Sequence, residues 1–551
     1  MLEIYQPEVE FFPIYVPKAN MQPCLRYNHD VDIVKFKDKY FAGWNANELP
    51  KEGVSGQYNF LSISDDFQTW TSPIKLFSSE ENCQNPVKCD NQWQPSFINF
   101  KDEKLFCAWC DMLTRRVFVS ESTDGVHWKN KEVKNVPDVL AHDETGFPTN
   151  HGLITSKGVM IFPCSLPNRS GQYLVGNTCF AALLMSFDDG NSWQWSEPIA
   201  AQTRTEIGTL PDGIGPEKTS IWEPAVFERQ DGSLELLIRN STTQDNPALD
   251  NYARPEQMLL HAVSCDGGVT WSRCRPVEID TIYSRNFTLS QINARDSILM
   301  VMNDWPAGLP QRIPHDRHKL ALFLAPGGEV DLMLPGPLVQ PESGIAFYPN
   351  GFVENNSLYL AYTYPSTIMG AKVTPLPKFD RPFLLPRAGR NGLRFISGQI
   401  ASLSLKEATL GVVLSEALNM AEKVNFEFTM QLFYRRDEEN FPLFSIGGKT
   451  RNGLVVEAEY DKDFLADSIV LKTVDGKKYV LENKVKRGEV KFKLSLTAKH
   501  FEISVNEHHC ILKKKILRKF AFGGLYAQPE WPSGTSMAQD IRIYLDSIKV
   551  Y

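Results

Sequence analysis

Two Asn-His pairs, Asn28-His29 and Asn150-His151, each introduce a run of alternating apolar residues. Histidine is the side chain whose ordinary pKa lets it take or give a proton near neutral pH. Further polar residues surround the first pair. Arg26 precedes Asn28 by two positions, Asp30 follows His29, and Trp44-Asn45 leads into a polar loop running from Lys51 to Gln57. Asn303-Asp304-Trp305 closes another apolar run. Imidazole, carboxyl and amide groups of this kind can perform acid–base work on a sugar. They can equally hold a strand edge by hydrogen bonds, and each residue carries that structural reading beside the chemical one.

Metal and cofactor chemistry has no comparable signature. No acidic run matches a calcium loop, and no glycine-rich phosphate loop is present. Cys107 and Cys110 form a CxxC inside the strand-like stretch LFCAWCDM, with no second pair at zinc-site spacing. The sequence therefore implies neither a metal nor a cofactor. Cys83/Cys89 and Cys265/Cys274 are spaced to close short loops in an oxidising compartment; buried thiols are the other reading.

The elements that must position these groups are written as repeats. SFDDGNSW ends at Trp193 and SCDGGVTW at Trp271, both fitting Ser-x-Asp-x-Gly-x-Ser/Thr-Trp. STDGVHW, ending at Trp128, is one residue shorter, and SDDFQTW, ending at Trp70, has Phe67 in place of the glycine. Such a box specifies a tight hairpin turn: Asp caps backbone N–H groups, Gly takes φ > 0, and Trp packs beneath. Asp188, Asp266, Trp193 and Trp271 are accordingly read as structural.

A second repeat interleaves with the first. Strand–turn–strand patterns lie at 31–44, 95–109, 151–163, 224–239, 288–304 and 350–364, close to the spacing of four-stranded propeller blades. A proline-rich connector at about 370–395 follows, and then short strands at regular spacing, an antiparallel sandwich pattern. The stretch LKEATLGVVLSEALNMAEK carries the only helical periodicity, with GVVL a competing strand.

Composition agrees with a globular β protein. Of 551 residues, 42% are hydrophobic and 11% aromatic, and the formal charge of −8 comes with no long basic run, so nucleic acid is not expected as a partner. No run of 18 apolar residues exists, so no membrane-spanning helix is expected. The N-terminus lacks a secretory leader, which predicts a cytoplasmic protein or a mature form whose leader has been removed. The sequence does not decide an oligomeric state.

The boxes and hairpins over roughly residues 25–365 resemble the sialidase (neuraminidase) superfamily. That resemblance implies an all-β chain: a six-bladed β-propeller over residues 1–385, then a C-terminal β-sandwich over 386–551. A seventh blade stays open if GLRFISGQIASLSL (392–405) pairs with an N-terminal strand. The closing strand, DIRIYLDSIKVY, resembles the last strand of a concanavalin-like jelly roll.

The stretch from Glu223-Pro224 through Asp231-Gly232 to Arg239-Asn240 resembles the blade that supplies a catalytic-pair Glu and a carboxylate-binding Arg. Tyr348-Pro349 resembles the region of the nucleophilic Tyr. The family's first carboxylate-binding Arg is replaced by Asn28, and Arg285 is the nearest candidate for the third. The Asn-His pairs are similar to those of Asp-box propellers that cleave rhamnose–glucuronic acid linkages, as lyases or as α-L-rhamnosidases.

These readings give a candidate site. His29, His151, Glu223 and Tyr348 are the catalytic candidates; Arg26, Asn28, Asp30, Gln57, Arg239 and Asn303 are the substrate-binding ones. The leading expectation is an exo-acting glycosidase on an acidic oligosaccharide or polysaccharide. An exo-lyase of a rhamnose–uronic acid linkage, with His as base, and a non-catalytic glycan-binding propeller are the alternatives.

Overall fold

The computed structural model describes residues 3–4, 8–134, 146–167, 177–199, 219–240, 258–280, 284–290, 296–303, 317, 320–325, 330, 334–339, 346–365, 367–376, 383–387, 410–414, 424–432, 441–446, 454–461, 466–472, 477–485, 488–496, 500–513 and 524–527. Every regular element named in these ranges is a strand, apart from single turns.

Six antiparallel units follow one another along the first part of the chain, the third and fourth joined into one nine-stranded sheet by a short parallel pairing of Asn177 and Cys179 with Thr219 and Ser220. The first runs Tyr27–Phe36, Lys39–Asn47, Tyr58–Ser64, Ile74–Lys75, and the second Gln92–Phe100, Lys104–Asp111, Arg116–Ser122, Lys129–Val133. The third is built on Met160–Pro167 and Asn177–Ser186, with short flanking strands Phe147–Pro148, Leu153–Ile154 and Gln194–Trp195. The fourth is Thr219–Glu228, Leu234–Asn240, Met258–Ser264, Arg275–Asp280, and the fifth Phe287–Leu289, Ile298–Asn303, Leu320–Ala325, Leu334–Val339.

The sixth unit contains Phe347–Glu354, Ser357–Tyr364 and Thr367–Thr374, and Glu8–Tyr15 pairs with the last of these. The N-terminal strand thus completes this sheet and is not free to found another. Residues 392–405, the other half of the seventh-blade expectation, lie outside the described residues.

Each Asp box is the turn between the third and fourth strands of its sheet, and its chemistry is as the sequence requires. Asp66 Oδ1 accepts from the N–H groups of Gln68 (2.8 Å) and Thr69 (2.7 Å); Asp124 Oδ1 accepts from those of Val126 and His127, both at 2.8 Å. Asp188 and Asp266 likewise cap Ser192 and Thr270. Hydrogen bonds hold the carboxyl pKa values below the usual range: chiefly backbone N–H groups at Asp66, and at the other three a side chain first (His127 at Asp124, the Ser192 hydroxyl at Asp188, and the Thr270 hydroxyl at Asp266, where the value falls to about 2).

Gly125, Gly190 and Gly268 have φ of 79°, 83° and 93°, and Phe67 adopts 65° in the glycine position of the first box. Phe67 tolerates that conformation because its buried ring packs on Phe12, Tyr40, Trp70 and Tyr359.

The first strands of the sheets gather round a common axis. Asp32 Oδ2 accepts the Phe97 N–H at 2.7 Å, joining the first and second sheets. Asn350 donates to Val31 O (3.2 Å), Asn150 to Asn286 O (2.6 Å), and Asn286 to Leu237 O (3.1 Å). Arg285 is fully buried at this axis and donates to Thr149 O (2.7 Å), Val31 O (3.1 Å) and Tyr348 O (3.4 Å). One guanidinium therefore ties segments of the third, first and sixth sheets.

The remaining strands form two antiparallel sheets. One orders Phe383–Arg387, Leu410–Leu414, Gly524–Ala527, Phe441–Ile446, Leu454–Asp461, Ala466–Lys472, Lys478–Val485; the other Val424–Leu432, Gly488–Leu496, His500–Val505, His508–Lys513. Glu3–Ile4 adds to the edge of the first in parallel. In the stretch with helical periodicity, Leu410–Leu414 is a strand, since β-branched Val412 and Val413 favour the extended form; its flanks and DIRIYLDSIKVY lie outside the described residues. All ten cysteines are free thiols, so neither Cys83/Cys89 nor Cys265/Cys274 is a disulfide.

Candidate active site

Four first strands carry the same irregularity near their start. The strand register slips between His29 and Asp32, Trp93 and Ser96, Trp222 and Pro224, and Phe347 and Asn350. Within each slip one polar residue has a left-handed backbone: Asp30 at φ 54°, Gln94 at 47°, Glu223 at 52° and Tyr348 at 57°. For a non-glycine residue this costs on the order of 1–3 kcal/mol and persists only where the surroundings over-determine it. A bulge re-aims a side chain out of the strand's alternation. The repetition therefore turns four polar side chains by one device. Gln94, Glu223 and Tyr348 are each preceded by an aromatic residue and followed by proline, a sequence sign that identifies Gln94 as well as the two anticipated residues.

Glu223, Arg239 and Tyr348 meet. The Tyr348 hydroxyl donates to Glu223 Oε1 at 2.6 Å, and Arg239 Nη1 lies 2.8 Å from both Glu223 Oε2 and the Tyr348 oxygen. Arg239 stands opposite Trp222 in the register of the fourth sheet, whereas Tyr348 comes from the sixth. Burial pushes the Tyr348 hydroxyl pKa up, with Arg239 opposing, so the phenol holds its proton at rest. The Glu223 carboxylate beside it raises the Arg239 pKa, against the desolvation that would lower it. Arg317, which the sequence reading did not single out, stacks its guanidinium 4.9 Å from the rings of both Phe347 and Tyr348.

His29 packs edge-on to the Tyr348 ring, with centroids 4.4 Å apart, and its Nδ1 is 3.2 Å from Thr363 Oγ1. Burial lowers its pKa well below the usual value, with Arg317, Arg285 and Arg239 adding to the effect. The ring is therefore neutral. Beside it Asp30 is fully buried. Gln94 Nε2 donates to Asp30 Oδ2 at 3.1 Å, and the Asn45 amide, turned to face it, donates at 3.2 Å. Arg285 Nη1 stands 3.6 Å from Oδ1. Burial raises the Asp30 pKa to about 7, with Arg285 the main opposing influence.

Glu52 is another residue that sequence reasoning passed over. It is exposed on the loop between Leu49 and Gln57, hydrogen-bonds to Tyr27, and its carboxyl comes within 4.8 Å of ligand atoms of His29 and Asp30. Desolvation raises its pKa; the Tyr27 hydrogen bond opposes this, and Glu223 adds to it. Gln57 fixes this loop rather than reaching outward, because its Oε1 accepts the Gly53 N–H (2.9 Å) and its Nε2 donates to Gln92 O (3.0 Å).

The other candidates lie elsewhere. Asn28 is buried, donating to Leu25 O and accepting from Trp44 Nε1, both at 2.8 Å. Arg26 donates to Glu48 O at 2.7 Å in an exposed position. Asn303 donates to Ala346 O at 2.7 Å, bracing the segment before Tyr348. His151 Nδ1 is 2.8 Å from Asp32 Oδ1, and Gly152 approaches the second sheet so closely that an added Cβ would lie 2.2 Å from Ile98 Cγ1. Arg285, the nearest sequence candidate for a third carboxylate-binding arginine, has its hydrogen bonds directed to backbone carbonyls.

An all-β propeller with Asp-box turns and strand-start polar residues converging on its axis is a sialidase-like β-propeller protein. Residues 58–370 match the BNR repeat-like domain, and the chain belongs to that family. Among solved structures, Trypanosoma rangeli sialidase is 12% identical, with 99% of this chain and 96% of that one covered at a TM-score of 0.48. A Dyadobacter fermentans protein of unknown function is 14% identical over 66% of this chain and 98% of its own, also at 0.48. A leech intramolecular trans-sialidase is 11% identical over 66% and 70%, at 0.46. No curated protein matches the chain.

Proposed function

We propose that this protein is an exo-acting glycoside hydrolase that removes a terminal sugar from an acidic glycan. The observation that carries the reading is the Tyr348–Glu223 hydrogen bond of 2.6 Å with Arg239 at 2.8 Å from both oxygens. A phenol activated by a carboxylate is a suitable nucleophile for an anionic sugar, because a bare carboxylate would be repelled by the substrate's own charge. Tyr348 Oη attacks the anomeric carbon while its proton passes to Glu223. The glycosidic C–O bond breaks, and the leaving oxygen takes a proton from Glu52, whose raised pKa suits a general acid. Water then attacks the tyrosyl glycoside, Glu52 removes its proton, and Glu223 returns the first proton to Tyr348. Arg239 and Arg317 supply positive charge for the substrate's anionic group.

The test is a panel of methylumbelliferyl glycosides and acidic oligosaccharides, with product analysis by mass spectrometry in H₂¹⁸O. Release of a saturated sugar carrying solvent oxygen supports the hydrolase. An unsaturated uronate that absorbs in the ultraviolet, without solvent oxygen, overturns it in favour of a lyase. Saturable binding without any product leaves a glycan-binding propeller.

A further inference from the structure

Arg285 is a buried cation without a close counter-ion. Its side chain is 2% exposed, and among the described residues its nearest carboxylate oxygen is Asp30 Oδ1, 3.6 Å from Nη1 and too far off to accept a hydrogen bond. Burial raises the Asp30 pKa to about 7, so near neutral pH that carboxyl is protonated much of the time. Hydrogen bonding does not call for a charge here either. The two Nη groups donate to the carbonyls of Thr149, Val31 and Tyr348, and Nε–H meets no acceptor among the described residues. Asn150, Asn286 and Asn350 donate to carbonyls round the same axis with neutral amides. A guanidinium in such a place carries a far larger desolvation cost than an amide. What sets the Arg285 position apart is an aromatic face: its guanidinium carbon lies over the Tyr348 ring, 5.0 Å from the centroid. A cation at a ring face is held by the ring's π density, and ionising a phenol adds to that density. The same cation therefore holds a phenolate more tightly than an aryl ether.

We propose that Arg285 is a positioning residue for the nucleophile: its guanidinium, fixed at the face of the Tyr348 ring, stabilises the phenolate character that develops as the tyrosyl glycoside breaks down, and it does not bind substrate. The inference rests on the glycosidase reading and adds to it a source of leaving-group stabilisation. In that step water attacks the anomeric carbon, and the bond from that carbon to Tyr348 Oη breaks with its electron pair passing to Oη. Glu52 takes the proton of the water, and Glu223 returns a proton to Oη. A charge that favours the transition state over the resting tyrosyl glycoside lowers this barrier. The competing account is that Arg285 only staples three carbonyls.

The experiment uses the full chain and a fluorinated, activated analogue of the best panel substrate, which leaves its sugar on Tyr348. Once excess analogue is removed, recovery of activity reports the breaking of the bond to Oη. Arg285→Gln keeps amide donors and loses the charge, and thermal melting verifies that it is folded. Its recovery is expected to be slower than wild type by roughly tenfold or more. With 3,5-difluorotyrosine at position 348, whose phenolate needs less stabilisation, the same deficit should shrink to about threefold or less. A smaller deficit in Arg285→Gln, or one of equal size with the fluorinated tyrosine, overturns the inference in favour of a purely structural arginine. Should Arg285→Gln fail to fold, Arg285→Lys carries the test, because it retains a charge while losing the guanidinium's hydrogen bonds: recovery within about fivefold of wild type supports the inference, and slower recovery overturns it. Absence of any adduct on wild-type Tyr348 is a failure of the glycosidase reading, and there this inference falls with it.

Discussion

Glu223→Gln separates the chemical from the structural part of the central triad. The substitution preserves shape but removes the charge that accepts the Tyr348 proton at 2.6 Å. Loss of a general base lowers turnover by roughly 10²–10⁴, or about 3–5 kcal/mol in activation free energy. The same change leaves the Arg239 guanidinium, 14% exposed at its side chain, without its carboxylate partner at 2.8 Å. Unpairing a buried charge costs about 3–5 kcal/mol of stability, and the Gln oxygen can still accept from Arg239, so the loss falls at or below the lower end. The double variant Glu223→Gln/Arg239→Met removes the stranded charge and should recover stability without recovering turnover. The assay pairs kcat on the panel's best substrate with thermal and urea unfolding. A folded Glu223→Gln protein within tenfold of wild-type turnover, or a double variant that regains activity along with stability, refutes the reasoning.

Three other perturbations follow from the same geometry. Glu52→Gln should cost at least 100-fold on a substrate with a sugar leaving group but under tenfold on a nitrophenyl glycoside, which leaves without an acid; wild-type activity should fall as pH rises through the raised Glu52 pKa, and this alkaline limb should vanish in the variant. Asp30 binds its proton more tightly folded, with a pKa of about 7, than unfolded, so it favours the fold at low pH and loses that contribution as pH climbs from about 4 to about 7. Asp30→Asn should flatten the pH dependence of Tm across that window, by an amount equivalent to at most roughly 4 kcal/mol; an unchanged slope argues against the raised value. Arg285→Met loses hydrogen bonds to Thr149, Val31 and Tyr348 carbonyls and should lower stability by about 3–5 kcal/mol in urea unfolding, with a smaller loss for Arg285→Lys.

The scaffold was legible in the sequence because its information is local. An Asp box closes a turn with side chains two to four residues away, so Asp66, Asp124, Asp188 and Asp266 could be read without knowing anything distant. Glu223, Arg239 and Tyr348 were anticipated through family resemblance, and their meeting across the axis is a tertiary fact. Glu52 escaped notice because its role depends on a loop held by Gln57 and on Tyr27 reaching it. Arg317 escaped for the same kind of reason, standing alone in sequence while stacked on two rings in space. Asn28 and Gln57 looked like polar residues facing a pocket, yet both ends of each amide are occupied by the fold. Within 405–423 the sequence offers helical periodicity with GVVL as a competing strand, and at Gly411–Leu414 the strand prevails through sheet pairing with Leu384–Arg387.

The most direct test of the account is whether Tyr348 becomes glycosylated during turnover. A fluorinated, activated analogue of the best panel substrate slows the second step, and peptide mass mapping locates the sugar. The account predicts one sugar mass on the peptide containing Tyr348, none in Tyr348→Phe, and product released with the substrate's anomeric configuration. Undiminished turnover by a folded Tyr348→Phe protein, or an inverted product with no adduct, would contradict it.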